Sequence, residues 1–185
     1  MNDAIALRDD QVRLGLWSFL ATVTMLFAAF ASAYIVRRSG ADWRHVALPP
    51  ILWLNTIVLA ASSIALETAN RGGVAGRWPI ARLGCGAALA LGLGFLAGQA
   101  AAWRQLMADG VYLPTSPHAS FFYMITAAHA VHVVAALTVL TWASVLTWIG
   151  PRDRRRWAVR FAIGRTFWHY LGGMWLFLLV LVSVY

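Results

Sequence analysis

The chain has 185 residues, 61% of them hydrophobic, with fifteen basic residues against seven acids and a formal net charge of +8. Soluble domains are about 45–50% apolar, and here the apolar residues fall in long runs with arginines between them. The pattern excludes a soluble nucleic-acid-binding protein in spite of the charge and describes an integral membrane protein; the single cysteine, Cys85, excludes an internal disulfide.

The N-terminal stretch MNDAIALRDDQVR carries acids where a signal peptide has a basic start, and the apolar run after it is too long for a signal segment, so it is expected to stay as a spanning helix. A span needs about 20 apolar residues, and five runs qualify. The first, 14–36, carries Ser18, Thr22 and Ala29, small or hydroxylated groups expected to admit a neighbouring helix, and ends at Arg37 and Arg38. In the loop after it, Trp43 suits an interfacial anchor. Pro49 and Pro50 open the second span, 49–69, where Asn55, Ser62, Ser63 and Glu67 form a polar stripe expected to face protein. Glu67 lies near Arg71, which favours a carboxylate at the interface over a buried proton carrier.

A loop over 70–79 leads to the third span, 80–103, which is rich in glycine; the pair Gly94 and Gly98 has the spacing of close helix packing. The loop over 104–119 holds the turn former Asp109-Gly110 and the breakers Pro114 and Pro117. The fourth span, 120–149, contains His129 and His132 on one helical face. After a cluster of arginines at 152 and 154–156, the fifth span, 161–185, contains Trp168, His169, Tyr170, Gly172 and Gly173. The fold class is therefore an all-α bundle of five transmembrane helices in a single domain, 1–185. With the N-terminus cytoplasmic, eleven arginines fall on inner segments and four on outer ones, which places the C-terminus on the periplasmic side.

Intramembrane histidines are functional candidates by default. A haem held by two of them needs both rings at one depth, and His129 and His169 are offset by nearly 10 Å on this topology, at about 1.5 Å per residue. His132 narrows the gap to about 5 Å by the same rise. A single metal ion between His129 and His132 finds no third ligand in reach. Structural rings, neutral and hydrogen-bonded to neighbouring helices, are the favoured reading, with no catalytic, metal or cofactor residue assigned. Arg13, Arg82, Arg160 and Arg165, with Trp17 and Trp168, are candidates for phospholipid headgroup contacts, against the plainer alternative of charges that only set topology.

The segments RLGLW (13–17), LPPILWLNTIVLAASS (48–63), GLGFLAGQ ending at Gln99, SFFYMITAAHAVHV (120–133) and FWHYLGGMWLFL (167–178) together resemble subunit III of the haem-copper oxidases, in order and across all five spans. The chain is similar to the short bacterial form that lacks the two N-terminal helices of the longer version. The resemblance implies an accessory subunit of the bacterial inner membrane, not catalytic by itself. It implies direct packing against oxidase subunit I, with subunit II and other members nearby, and haem and copper in those partners rather than in this chain. In the family the subunit binds phospholipids, sustains proton uptake and protects the oxygen-reducing centre. The family's HxxHV histidines fall here on His129 and His132 and its WHF-type segment on Trp168, His169 and Tyr170; the intramembrane polar residues read as structural are His129, His132, His169, Asn55, Glu67 and Gln99. A cytochrome c oxidase is the first expectation. A quinol oxidase, a nitric oxide reductase-associated homologue and, from a different class, a stand-alone transporter are the alternatives.

The sequence departs from the family where carboxylates often stand: Val23 in the first helix, Gly172 or Gly173 after WHY, and Ala102 near Gln99. These replacements predict a subunit that works by packing and lipid retention rather than by carrying protons itself.

Overall fold

The computed structural model describes residues 2–151 and 153–184, with side chains from residue 11 onward. Tyr185, counted in the fifth span, and Arg152 and the Arg8 side chain, counted for topology, lie outside the described residues. Five helices follow one another, with no strand among the described residues: α1 (Asn2–Arg37), α2 (Ile51–Val74), α3 (Trp78–Ala108), α4 (Pro117–Ile149) and α5 (Arg154–Val184). All five contain a stretch long and apolar enough to cross a membrane. The chain is a multi-pass membrane protein.

Helix ends follow local chemistry. Pro50 sits at the N-cap of α2, where its missing N–H costs nothing, and Ser116 caps α4 by accepting the Ala119 N–H at 3.2 Å. The connection expected over 70–79 is shorter, because α2 runs on to Val74 and α3 starts at Trp78. The cause is packing. Gly72 and Gly73, which read as loop residues, are buried in the last turn of α2, with Gly72 close to the Ala81 backbone and Gly73 under the Trp157 indole. The chain then reverses at Gly76, whose φ of 74° is the left-handed conformation that glycine adopts without strain.

Helices α2, α3, α4 and α5 close a ring in that order, with α2 and α3 in the most extensive contact, while α1 rests against α4 and α5. Gly84 lets α2 and α3 approach: a Cβ there would stand 2.7 Å from the Ala69 nitrogen and 2.8 Å from the Ala65 carbonyl oxygen. Of the pair singled out by spacing, Gly98 lies against the Asn55 amide, but Gly94 faces outward with only Val58 near it. The α1 face that meets the bundle is Leu20, Val23, Phe27, Ala31 and Tyr34; Ser18, Thr22 and Ala29, expected to receive a neighbour, are exposed. Bulky apolar side chains fill the α4–α5 groove better than hydroxyls do, and Thr22 satisfies its own hydroxyl on the Ser18 carbonyl at 3.0 Å.

Candidate functional site

The three spans with candidate histidines do not bring them together. His129 on α4 is 1% exposed and sits in an aromatic cage drawn from three other helices. Ring centroids lie 6.2 Å away for Phe27 on α1, 6.1 Å for Phe95 on α3 and 5.4 Å for Trp175 on α5. Neither of its ring nitrogens has a hydrogen-bond partner among the described residues. His132 turns its Nδ1 to the Ala128 carbonyl of its own helix, 2.7 Å away, and lies 5.5 Å from Phe27. A carbonyl only accepts, so Nδ1 carries the hydrogen. His169 is exposed on α5 and faces Glu67 and Arg165. The expected inter-helix bonds from these three rings are not formed within the chain: aromatic rings surround His129, His132 bonds within its own helix, and the charged neighbours of His169, Glu67 and Arg165, pair with each other. Among the described residues no three His, Cys, Asp or Glu side chains gather into a group able to hold a metal ion.

Of the α2 polar stripe, Asn55 and Ser62 point inward, while Ser63 and Glu67 are half-buried. Asn55 donates to the Phe95 carbonyl at 2.9 Å and Ser62 to the Ala88 carbonyl at 2.9 Å, both on α3. Gln99, on the same α3 face, is 2% exposed with both amide atoms unpartnered among the described residues. Glu67 meets Arg165 of α5 at 3.2 Å and Arg71 at 3.6 Å.

The inter-helix ties come instead from a device that periodicity did not reveal. Four threonines each give their own hydroxyl hydrogen to the carbonyl one turn back and accept a hydrogen from another helix. Thr126 binds the Phe122 carbonyl (2.6 Å) and receives the Trp103 indole N–H (3.1 Å), joining α4 to α3. Thr147 binds the Ala143 carbonyl (2.9 Å) and receives the Trp157 N–H (2.7 Å), joining α4 to α5. Thr56 binds the Leu52 carbonyl (3.0 Å) and receives the Trp175 N–H (3.0 Å), joining α2 to α5. Thr24 binds the Leu20 carbonyl (2.8 Å) and lies 2.8 Å from the Tyr170 hydroxyl, which must then donate, joining α1 to α5. A hydroxyl has one hydrogen and two lone pairs, so every group in each tie is satisfied without water. A second feature missed in the sequence is His118, fully buried at the start of α4. Its Nδ1 accepts the Val46 N–H at 3.2 Å and its Nε2 faces the Val182 carbonyl at 3.3 Å, fastening the 38–50 loop and the end of α5 to α4. Trp43, expected as an interfacial anchor, packs into this cluster 5.1 Å from Tyr34 and 5.4 Å from His118. Both features lie at or beyond helix boundaries, or on residue types that read equally well as core.

The candidate lipid residues divide. Arg13 and Trp17 are exposed on α1, and Arg160 lies over the Trp142 ring at 5.4 Å. Arg165 is occupied by Glu67, and Arg82 Nε reaches the Thr147 carbonyl at 3.4 Å. Trp168 is corrected: at 1% exposed it is a core residue, its indole lying over Gly92 where α3 has no side chain. At the other end of the bundle an open groove of about 1390 Å³ runs between the end of α1 and the start of α4, walled by Ala29, Ala33, Val36 and Phe121, with Arg37 and Arg44 on its rim. Arg37 holds Asp42 through two hydrogen bonds of 2.8 and 2.6 Å, which keep the Asp42 carboxyl below its ordinary pKa. Val23 and Ala102, which stand where carboxylates were expected, are buried against neighbours.

Comparison with known proteins agrees in extent with this single bundle. Residues 4–185 match the family described as cytochrome c oxidase subunit III. The chain is 28% identical over 190 aligned residues to a probable cytochrome c oxidase subunit 3 of Mycobacterium tuberculosis, covering 95% of this chain and 88% of that protein. It is 26% identical to a cytochrome c oxidase subunit 3 of Bacillus sp. (strain PS3), covering 91% and 83%. A haem-copper oxidase subunit I+III of Aeropyrum pernix is 25% identical over 90% of this chain and 22% of its own length. A five-helix membrane bundle matched from its fourth residue to its last belongs to the cytochrome c oxidase subunit III family.

Proposed function

We propose that this chain is a non-catalytic subunit of a haem-copper respiratory oxidase of the bacterial inner membrane, packed directly against subunit I beside subunit II. In this role it supports the stability, lipid retention and proton uptake of the core during turnover; haem and copper reside in the partner subunits, and cytochrome c is the electron donor. The observation that carries the reading is the family match along the whole bundle. The Aeropyrum pernix relative, whose name joins subunits I and III in one polypeptide, supports subunit I as the direct partner.

Lipid retention is supported by the groove beside α1 and α4, which offers an apolar wall with Arg44 and the Asp42-paired Arg37 at its mouth. A direct proton-carrying role is disfavoured by Val23 and Gly172, neither of which exchanges protons, and by Glu67 being held between two arginines. The test is to remove this chain from the oxidase and follow activity over successive turnovers together with the rate of proton uptake. Faster inactivation and slower uptake are expected. An oxidase with unchanged lifetime and uptake refutes the role.

A further inference from the structure

We propose that His118 is an acid-released latch: as a neutral ring it pins the loop over 38–50 and the end of α5 to the start of α4, and a second proton on the ring frees the loop. The two hydrogen bonds of the ring fix where its single hydrogen lies. The Val182 carbonyl, 3.3 Å from Nε2, only accepts, so Nε2 carries the hydrogen. The Val46 N–H, 3.2 Å from Nδ1, only donates, so Nδ1 is bare. A proton added at Nδ1 meets the Val46 N–H head on, and only the bond to Val182 survives. Among the described residues the bond from Val46 is the one hydrogen bond made by residues 44–48, so its loss unfastens that stretch.

The surroundings leave a charge on this ring without a counter-ion. On the α1 side stands the Tyr34 ring, 5.9 Å from His118, with Arg38 near its hydroxyl. The loop brings Trp43 at 5.4 Å and the exposed His45 at 5.6 Å between ring centroids. The end of α5, 179–184, has no ionisable side chain. Past the end of α3, Asp109 lines a hollow of about 300 Å³ together with Arg44, His45 and Ser116, and this hollow leads water toward the ring. No carboxylate bonds the imidazole among the described residues, and a proton on both rings would set like charges side by side. Because the neutral ring holds the latch, order is present at high pH and is lost as pH falls. The loop it frees carries Asp42 and Arg44 on the rim of the groove between α1 and α4, so acid loosens the mouth of that groove.

The latch requires only this chain, so its test does not depend on a partner. The hydrogen-exchange protection factor of the Val46 amide is followed by NMR in the full chain in bicelles. The series runs from about pH 8 to about pH 4.5, across the ordinary imidazole value of about 6.5 and above the range in which the Arg37–Asp42 pair titrates. The wild type is expected to lose protection at least about tenfold in one step, the weight of one hydrogen bond. His118→Asn offers a side-chain oxygen to the same N–H without titrating and should keep protection throughout. His118→Phe should lack it throughout, and His45→Gln should keep the step. Flat protection in the wild type, a step that persists in His118→Asn, or a step that disappears in His45→Gln overturns the proposal. If either His118 variant fails to fold, the wild type decides: a Val46 step whose midpoint differs from that of the His118 ring 15N shifts overturns it as well.

Discussion

The Thr147–Trp157 tie gives the sharpest energetic prediction. Both residues are buried, the indole N–H lies 2.7 Å from the threonine oxygen, and that oxygen has already given its own hydrogen to the Ala143 carbonyl. Thr147→Val preserves shape but removes the acceptor, and a buried donor left unpaired costs about 1–3 kcal/mol. Couplings measured between polar side chains inside membrane bundles average about 0.6 kcal/mol and reach about 1.7. A short, fully buried bond belongs in the upper part of that range, so the expected coupling is about 1–1.7 kcal/mol. Trp157→Phe alone also loses ring contact with Gly73 and Trp78, so only a double-mutant cycle isolates the bond. The assay is reversible unfolding of the wild type, the two single variants and the double variant in bicelles. Thr147→Val should be damaging in the wild type and nearly harmless in the Trp157→Phe background, where no indole N–H is left to satisfy. A coupling below about 0.3 kcal/mol, within ordinary additivity, would falsify the claim that threonines serve here as acceptor platforms.

Three further outcomes are expected. Gly84→Val drives a side chain into the α2 backbone at Ala65 and Ala69, which no rotamer relieves, and should destabilise the bundle by about 1–3 kcal/mol or more, read as a loss of folded yield; wild-type stability would contradict the close approach. His129→Phe removes two unpartnered nitrogens from an aromatic cage and should leave unfolding unchanged or stabilise the chain; a loss above about 1 kcal/mol would reveal a partner that the isolated chain lacks. Asp42, held by Arg37 below its ordinary value of 3.8, contributes to the order of the 38–50 loop fully above that value and loses the contribution as pH falls through its lowered folded-state pKa. Amide-exchange protection of the loop should therefore drop at acid pH in the wild type and be low and pH-independent in Asp42→Asn; equal protection in both at pH 7 removes the role.

The number of helices was legible because membrane crossing demands long apolar runs, and so were the inward turn of Asn55 and Ser62 and the burial of Cys85. Which way an individual aromatic or hydroxyl faces was not. Lipid tails are as apolar as leucine, so a membrane helix carries no contrast between its buried and exposed faces, and Trp168 reads the same whether it sits at a headgroup or over Gly92. The α1 face failed for a related reason: small residues permit close packing but do not compel it. Loop boundaries around 70–79 were misplaced because glycine signals a turn by propensity, while Gly72 and Gly73 serve contact with Ala81 and Trp157.

The distribution of satisfied and unsatisfied groups connects the fold to the assigned role. The threonine ties that hold the five helices to one another are complete within the chain, since the Trp103, Trp157 and Trp175 indoles each find a threonine oxygen and the His118 ring finds Val46. Among the described residues the buried side chains left with an unpartnered polar atom are Tyr34, Trp43, Gln99, His129, Ser144 and Trp168. His129 and Gln99 are sealed in the interior, where apolar replacements should be tolerated. His169 and Ser63 line a recess between α2 and α5, near the Glu67–Arg165 pair. The outward faces of the bundle are therefore not equivalent: the hydroxyls of Thr22 on α1 and Thr138 on α4 are satisfied within their own helices, whereas the α2–α5 recess sets an imidazole and a hydroxyl beside the bare backbone of Gly172 and Gly173.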